Sequence, residues 1–210
     1  MLNVFIGYDP RQPIAYNVCA HSVVSNASEP VAITPLILKQ LPITRRGLTE
    51  FTFSRFLVPW LCGFRGYAVF MDADIVVTGD IAELFKNPDP SAVCVMQDQE
   101  RFEWPSVMLF NNERCTPLTP DFVQDPKNQL FDLSWGTVGK FPEAFNQIVG
   151  YGVTDPGAKL WHFTRGIPVW PETQGTPEDA IWFDAMEQAN STCSYAELMG
   201  QSIHAERPKC

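Results

Sequence analysis

Two aspartates one residue apart, Asp72 and Asp74, interrupt an otherwise apolar stretch, YAVFMDADIVVTGDI (67–81). Burying an unpaired carboxylate costs several kcal/mol, so a pair inside an apolar run needs a positive partner. Alternation along a strand would put Asp72 and Asp74 on the same side, with Ala73 facing away. Two neighbouring carboxylates repel each other, and a divalent cation relieves that repulsion. Hard oxygen donors favour Mg²⁺, Mn²⁺ or Ca²⁺ over zinc. The plainer alternative is that Asp72 caps a turn while Asp74 pairs with a basic residue. A bare Asp-X-Asp occurs often by chance; its place behind an apolar run is what points to metal.

The elements that must position this pair follow from the hydrophobic pattern. VFIGY (4–8) reads as a first buried strand, closed by the turn DPRQP before a helix whose narrow buried face is Ile14, Ala15, Val18, Cys19 and Ser22. VAITPLIL (31–38) is a second strand, which Pro35 disfavours as a central one. From Leu48 the pattern predicts an amphipathic helix, with Phe53, Phe56, Leu57, Trp60 and Leu61 on one stripe and Gly63 and Gly66 at its end. The strand YAVFMDADIVV follows, then a short helix over Ile81–Phe85 and apolar runs at 91–98 and 107–112. AKLWHF (158–163) predicts another strand, and 177–189 a closing helix with Ile181, Trp182, Ala185 and Met186 inward. Periodicity is weak between 113 and 157. Alternating strands and helices predict an α/β fold with an open, mostly parallel sheet flanked by helices. In such a sheet, ligands sit beyond the carboxyl ends of the strands, where Asp72 and Asp74 fall.

Composition narrows the function. The 210 residues suit a single domain, and a 45% hydrophobic fraction with 19% charged residues is that of a globular protein. A net charge of −9 argues against nucleic-acid binding, although a nucleotide pocket needs only local donors. The start, MLNVFIGYDP, lacks the basic and apolar regions of a signal peptide, and no stretch is long and apolar enough for a transmembrane segment. Cys19, Cys62, Cys94, Cys115, Cys193 and Cys210 show no paired spacing; they read as reduced thiols of a cytoplasmic protein rather than a zinc site.

Two known patterns share the aspartate motif. VFMDADIVV matches locally the nucleophile motif of haloacid-dehalogenase-type phosphatases, but about seventy residues precede it and no downstream Asp-Asp pair follows. The longer segment FTFSRFLVPWLCGFRGYAVFMDADIVVTGDIAELF (51–85) closely resembles glycosyltransferase family 8 and its short bacterial relatives, with Arg55, the two aspartates, Gly79, Asp80 and Leu84 in register. That resemblance implies a GT-A fold and a metal-dependent, retaining transfer of a sugar from a nucleotide-sugar donor, UDP-linked, to a sugar-containing or other small acceptor. The donor-binding half would span about 1–112 and the acceptor-side half about 113–210.

The resemblance also implies roles residue by residue. Tyr8 and Asp9, in IGYDPRQP, would lie against the base and ribose, and Arg55 and Ala73 would contact the donor. KLWHFTRGIPVW (159–170) resembles the family's late HFxGxxKPW segment, which makes His162 the third ligand of Mn²⁺ (or Mg²⁺) beside Asp72 and Asp74. His21 falls on a predicted helix and His204 in the tail. The family's Lys before Pro-Trp is missing here, leaving Arg165 or Lys159 to meet the diphosphate. SVMLFNN (106–112) resembles the family's NsGVmLfN strand, with Ser106 in place of Gly. FDLSWGTVGKFPEAFN (131–146) would supply the acidic catalytic residue Asp132, with Asp125 as a rival, and the structural turn residue Asn146. A nucleotide-sugar binder without transferase activity is the other reading of the same pocket.

Overall fold

The computed structural model describes residues 1–97 and 103–191; Cys193, His204 and Cys210 lie outside them. The central sheet has six strands, β1 (Leu2–Gly7), β2 (Val31–Leu36), β3 (Tyr67–Met71), β5 (Val93–Gln97), β6 (Glu103–Asn111) and β7 (Val138–Lys140), in the order β2-β1-β3-β6-β5-β7. β1 pairs parallel with β2 and β3, and β7 parallel with β5. β6 alone runs antiparallel, between β3 and β5. The sheet is thus mostly parallel, and its central strands read as continuous apolar runs because both faces are covered. β2 is an edge strand, which is why it tolerates Pro35 opposite Ile6.

Helix α1 (Pro13–Asn26) starts with proline in its first turn, where no donor is lost, and buries Ala15, Val18, Cys19, Ser22 and Val23. A second sheet joins β4 (Ile75–Val77), β9 (Leu160–His162) and β8 (Gln147–Ile148) in the order β4-β9-β8. β4 is an edge of this small sheet, and α1 covers its open side. Ser22 Oγ accepts from the Val77 amide at 3.0 Å, and Asn26 Nδ2 donates to the Val77 carbonyl at 3.0 Å. These side chains stand in for a missing strand. Helix α3 (Asp179–Asn190) packs on α1 and β4 through Trp182 and Ala185; Ile181 and Met186 are only partly buried.

Two expectations need correction. The predicted strand 67–77 is two strands in different sheets: β3 ends at Met71, the Asp72 amide makes one last bond to the Ser106 carbonyl (2.8 Å), and the chain turns before β4 pairs with β9. Asp72 and Asp74 are therefore brought together by a turn between sheets, not by alternation within one strand.

The predicted helix from Leu48 is turns over 50–53, a 3₁₀ segment at Ser54–Leu57 and a single α turn, α2 (Val58–Leu61). Ser54, Arg55, Phe56, Leu57 and Val58 are all buried there, while Trp60 and Leu61 face solvent. Pro59 lacks the amide that a longer helix would use. The helix ends as its glycines suggest: Phe64 N bonds Pro59 O (2.8 Å), Gly63 N bonds Trp60 O (2.9 Å), and Gly63 has φ +61°.

Candidate metal and donor site

Three side chains from two sheets converge where β3 ends. Asp72 and Asp74 come from the turn between β3 and β4, and His162 from the last residue of β9, opposite Ile75 in the ladder. The Phe163 amide donates to the Asp74 carbonyl (2.9 Å) and the Val149 amide to the His162 carbonyl (3.0 Å), so backbone bonds lock both sides of the cluster. One ligand atom from each of the three residues lies within 4.8 Å of the other two. His162 is 3% exposed, and its Nε2 is 3.4 Å from Asp74 Oδ1.

The polar accounting here is incomplete within the protein. Asp72 Oδ1, Asp74 Oδ1 and His162 Nδ1 are buried and accept or donate no hydrogen bond. Buried polar atoms are normally satisfied, and three orphans in one cluster call for a further partner. Two carboxylates and one imidazole fit a divalent cation, which would meet the unpaired acceptors and offset the negative charge.

Arg55 supplies the positive charge present in the protein itself. Its Nη2 lies 3.0 Å from Asp72 Oδ1, a charge contact that is not aligned as a hydrogen bond. Nη1 donates to the Pro105 carbonyl (2.7 Å) and Nε to the Thr52 carbonyl (3.1 Å). The guanidinium also sits 4.8 Å from the Phe70 ring and 5.7 Å from that of Phe131. Every nitrogen of Arg55 is thus engaged, and it braces Asp72 rather than standing free. Burial raises the Asp72 carboxyl to about 6, against the opposing pull of Arg55. Burial alone would lower the His162 imidazole, but Asp74 beside it raises it overall.

The other expected positions are less uniform. Tyr8 is half-buried and packs edge-on against Tyr16, with ring centroids 5.5 Å apart. Asp9 is buried, and its carboxylate accepts from Arg11 Nε (2.9 Å), Arg11 Nη2 and the Arg11 amide (3.0 Å). Those bonds hold it below the usual carboxylate range. Ala73 is buried between the two aspartates. Arg165 is exposed; it donates to the Gly150 carbonyl (3.2 Å) and lies over the Tyr151 ring. Lys159 pairs with Glu83 and crosses Gly79 so closely that an added Cβ there would meet its side chain at 2.6 Å. Asp132 is exposed and accepts from the Ser134 amide (2.9 Å), while Asp125 accepts from that of Lys127 (2.9 Å). Neither carboxylate belongs to the Asp72–Asp74–His162 cluster.

One support of the site is not readable from the sequence. Asn146 is 1% exposed and donates from Nδ2 to Ser106 Oγ (2.9 Å), while the Ser106 carbonyl holds the Asp72 amide. Ser in place of the family's Gly marks the position, but its partner lies 40 residues away. The pair Pro105–Ser106 therefore receives Arg55, Asp72 and Asn146 together.

No family model matches the chain. It is 31% identical to Protein CDI of Arabidopsis thaliana over 228 aligned residues, covering 89% of this chain and 86% of the plant protein. Among solved structures it resembles the glycosyltransferase GlyE of Streptococcus pneumoniae TIGR4 (TM-score 0.65, 14% identity, 88% of this chain), spanning 60% of the length of that structure. It also resembles the galactosyltransferase LgtC, solved with donor and acceptor sugar analogs (TM-score 0.64, 12% identity), over 93% of this chain and 99% of that one. The chain therefore belongs to the same family as Protein CDI and has the GT-A fold of glycosyltransferases.

Proposed function

We propose that this protein is a metal-dependent glycosyltransferase that takes a sugar from a nucleotide-sugar donor, UDP-linked, and passes it to a small acceptor with retention of anomeric configuration. The observation that carries this reading is the cluster of Asp72, Asp74 and His162, with three buried atoms that make no hydrogen bond, at the carboxyl end of β3 in a GT-A fold. Mn²⁺ or Mg²⁺ held by these residues would supply charge neutralisation for the departing diphosphate. Mn²⁺ is favoured because one of the three ligands is an imidazole.

In this reading each residue of the chain has a physical task. Asp72 and Asp74 hold the cation, His162 closes the set, and Arg55 keeps Asp72 oriented and charged. Tyr8 and Asp9 receive the nucleoside beyond the end of β1, Asp9 once its carboxylate leaves or shares Arg11. Ala73, small and buried between the ligands, lets the donor approach the backbone there. Arg165, three residues after His162, turns from Gly150 to the diphosphate, since Lys159 is held by Glu83. The sugar leaves through an oxocarbenium-like state. Asp132 is assigned to the acidic position near it, while a diphosphate oxygen takes the acceptor's proton on the same face. Residues 1–112 would form the donor half and 113–210 the acceptor half of one domain.

A haloacid-dehalogenase-type phosphatase is set aside, because the fold is GT-A and the aspartates group with a histidine. No helix among the described residues is long and apolar enough to cross a membrane. Among the described residues Cys19, Cys62, Cys94 and Cys115 form no disulfide, and a cytoplasmic location is part of this proposal. Calorimetric titration with UDP, with and without Mn²⁺, followed by a screen of UDP- and GDP-sugars for Mn²⁺-dependent hydrolysis, tests the proposal. Tight Mn²⁺-dependent UDP binding with slow hydrolysis of one UDP-sugar supports it. Binding without turnover of any sugar would instead mark a nucleotide-sugar binder.

A further inference from the structure

An exposed aromatic ring lies against Arg55, the arginine that braces Asp72. Phe131 is 42% exposed, in a short 3₁₀ segment at Leu130–Asp132. One side of it is fixed: its ring meets Phe56 edge-on at 5.2 Å and Phe53 at 6.0 Å, and the Arg55 guanidinium lies 5.7 Å from its centroid. That same guanidinium is 3.0 Å from Asp72. Only one side chain therefore separates Phe131 from the residues that bind the cation.

The turn that presents Phe131 is built at a cost. Leu133 is 1% exposed and sits in the left-handed region at φ +54°, where a branched side chain is disfavoured. The Leu130 carbonyl is held by Trp135 Nε1 (2.9 Å), the Asp132 carboxylate by the Ser134 amide, and the Leu133 carbonyl by the Gly136 amide (3.2 Å). Leu130 and Leu133 go inward and Phe131 goes outward. A chain seeking only burial would not leave its large aromatic residue on the outer side of so constrained a turn.

Resting on the transferase reading, we propose that Phe131 is a specificity residue that packs against the C–H face of the donor's pyranose ring. A pyranose has one face rich in slightly positive C–H groups, and an aromatic ring has a negative face. Phe131 offers exposed aromatic surface one side chain, Arg55, away from Asp72, on the side where the sugar of a metal-bound nucleotide diphosphate would lie. The contact acts on the sugar and not on the nucleotide, so it separates two affinities that most changes move together.

The test compares UDP with UDP-glucose, UDP-galactose and UDP-N-acetylglucosamine, by calorimetry with Mn²⁺ and no acceptor. Phe131→Leu keeps an apolar cover over Arg55 and removes the aromatic face; Phe131→Tyr keeps the face. For the UDP-sugar bound best by the unaltered protein, Phe131→Leu should weaken affinity about tenfold while leaving that for UDP within twofold, and Phe131→Tyr should restore it. Unaltered UDP-sugar affinity in Phe131→Leu, or an equal loss for UDP, overturns the assignment and leaves the transferase reading standing. Should the unaltered protein bind none of the four ligands in a Mn²⁺-dependent way, the transferase reading fails and this inference with it.

Discussion

Arg55 and Asp72 form an ion pair inside the protein, 3.0 Å between Nη2 and Oδ1, with side chains only 8% and 15% exposed. The arginine stems from the 3₁₀ segment before α2 and the aspartate from the end of β3, so the pair ties the connecting layer to the central sheet. It leaves Asp74 with the His162 imidazole, 3.4 Å away, as its neighbour. With Arg55 at +1 and two aspartates at −2, the cluster carries a negative charge whenever His162 is neutral and no cation is bound.

Arg55→Met should therefore destabilise the metal-free protein by about 3–5 kcal/mol, because Asp72 is left buried without its partner. Urea unfolding in EDTA measures this. Adding Mn²⁺ should recover part of the loss, since an ion that binds only the folded state stabilises it. A loss below 1 kcal/mol would mean that Arg55 is not what holds Asp72.

Ser22→Ala should cost about 1–3 kcal/mol, because the buried Val77 amide loses its acceptor. Asn26→Ala should cost less, since Asn26 is exposed and water can replace it at the Val77 carbonyl. Equal and negligible effects in equilibrium unfolding would show that α1 does not seal the edge of β4.

The contrast between what the sequence carried and what it hid follows from range. Apolar runs located β1, β3 and β6 because the central sheet is covered on both faces, AKLWHF located β9 of the small sheet, and Pro35 correctly marked an edge. The break after Met71 was invisible, since VFMDADIVV is apolar on both sides of a turn whose cause is a change of partner from β6 to β9. The helix expected from Leu48 failed because a 3.6-residue apolar spacing is equally satisfied by successive 3₁₀ and α turns around a buried arginine. At the site, Asp72, Asp74 and His162 could be named from motifs. The full engagement of Arg55, the hold of Arg11 on Asp9 and the Ser106–Asn146 bond depend on residues far apart or on side-chain direction, which a single sequence does not encode locally.

Asp80 gives a pH signature. Its carboxylate accepts from Ser28 Oγ (2.6 Å), the Ser28 amide (3.1 Å) and the Ala82 amide (3.0 Å), and the Ser28 hydroxyl bond leads in holding it below the ordinary value. Because the folded value is depressed, the stabilisation is complete above the unfolded value of about 3.9 and is lost as pH falls through the lower, folded one. Asp80→Asn should thus be less stable than the unaltered protein at pH 6, with the gap narrowing below about pH 4. Unfolding curves across that range check it, and a gap independent of pH would contradict it.

His162→Ala should weaken Mn²⁺ binding about tenfold while keeping both aspartates in place, a smaller loss than removal of a carboxylate, because a neutral ligand adds no charge attraction. Electron paramagnetic resonance of free Mn²⁺ during titration reads this directly. An affinity equal to that of the unaltered protein would remove His162 from the ligand set.

The central claim is that Asp72, Asp74 and His162 hold a cation that in turn holds a nucleotide diphosphate, and Asp74→Asn tests it with least disturbance. The substitution keeps shape and leaves the backbone bond from Phe163 to the Asp74 carbonyl intact. Measured by calorimetry, UDP should bind the unaltered protein at least tenfold more tightly with Mn²⁺ than without it. The Asn variant should show no such increment while unfolding at an unchanged or higher urea midpoint. The same Mn²⁺ increment in both proteins would contradict the account.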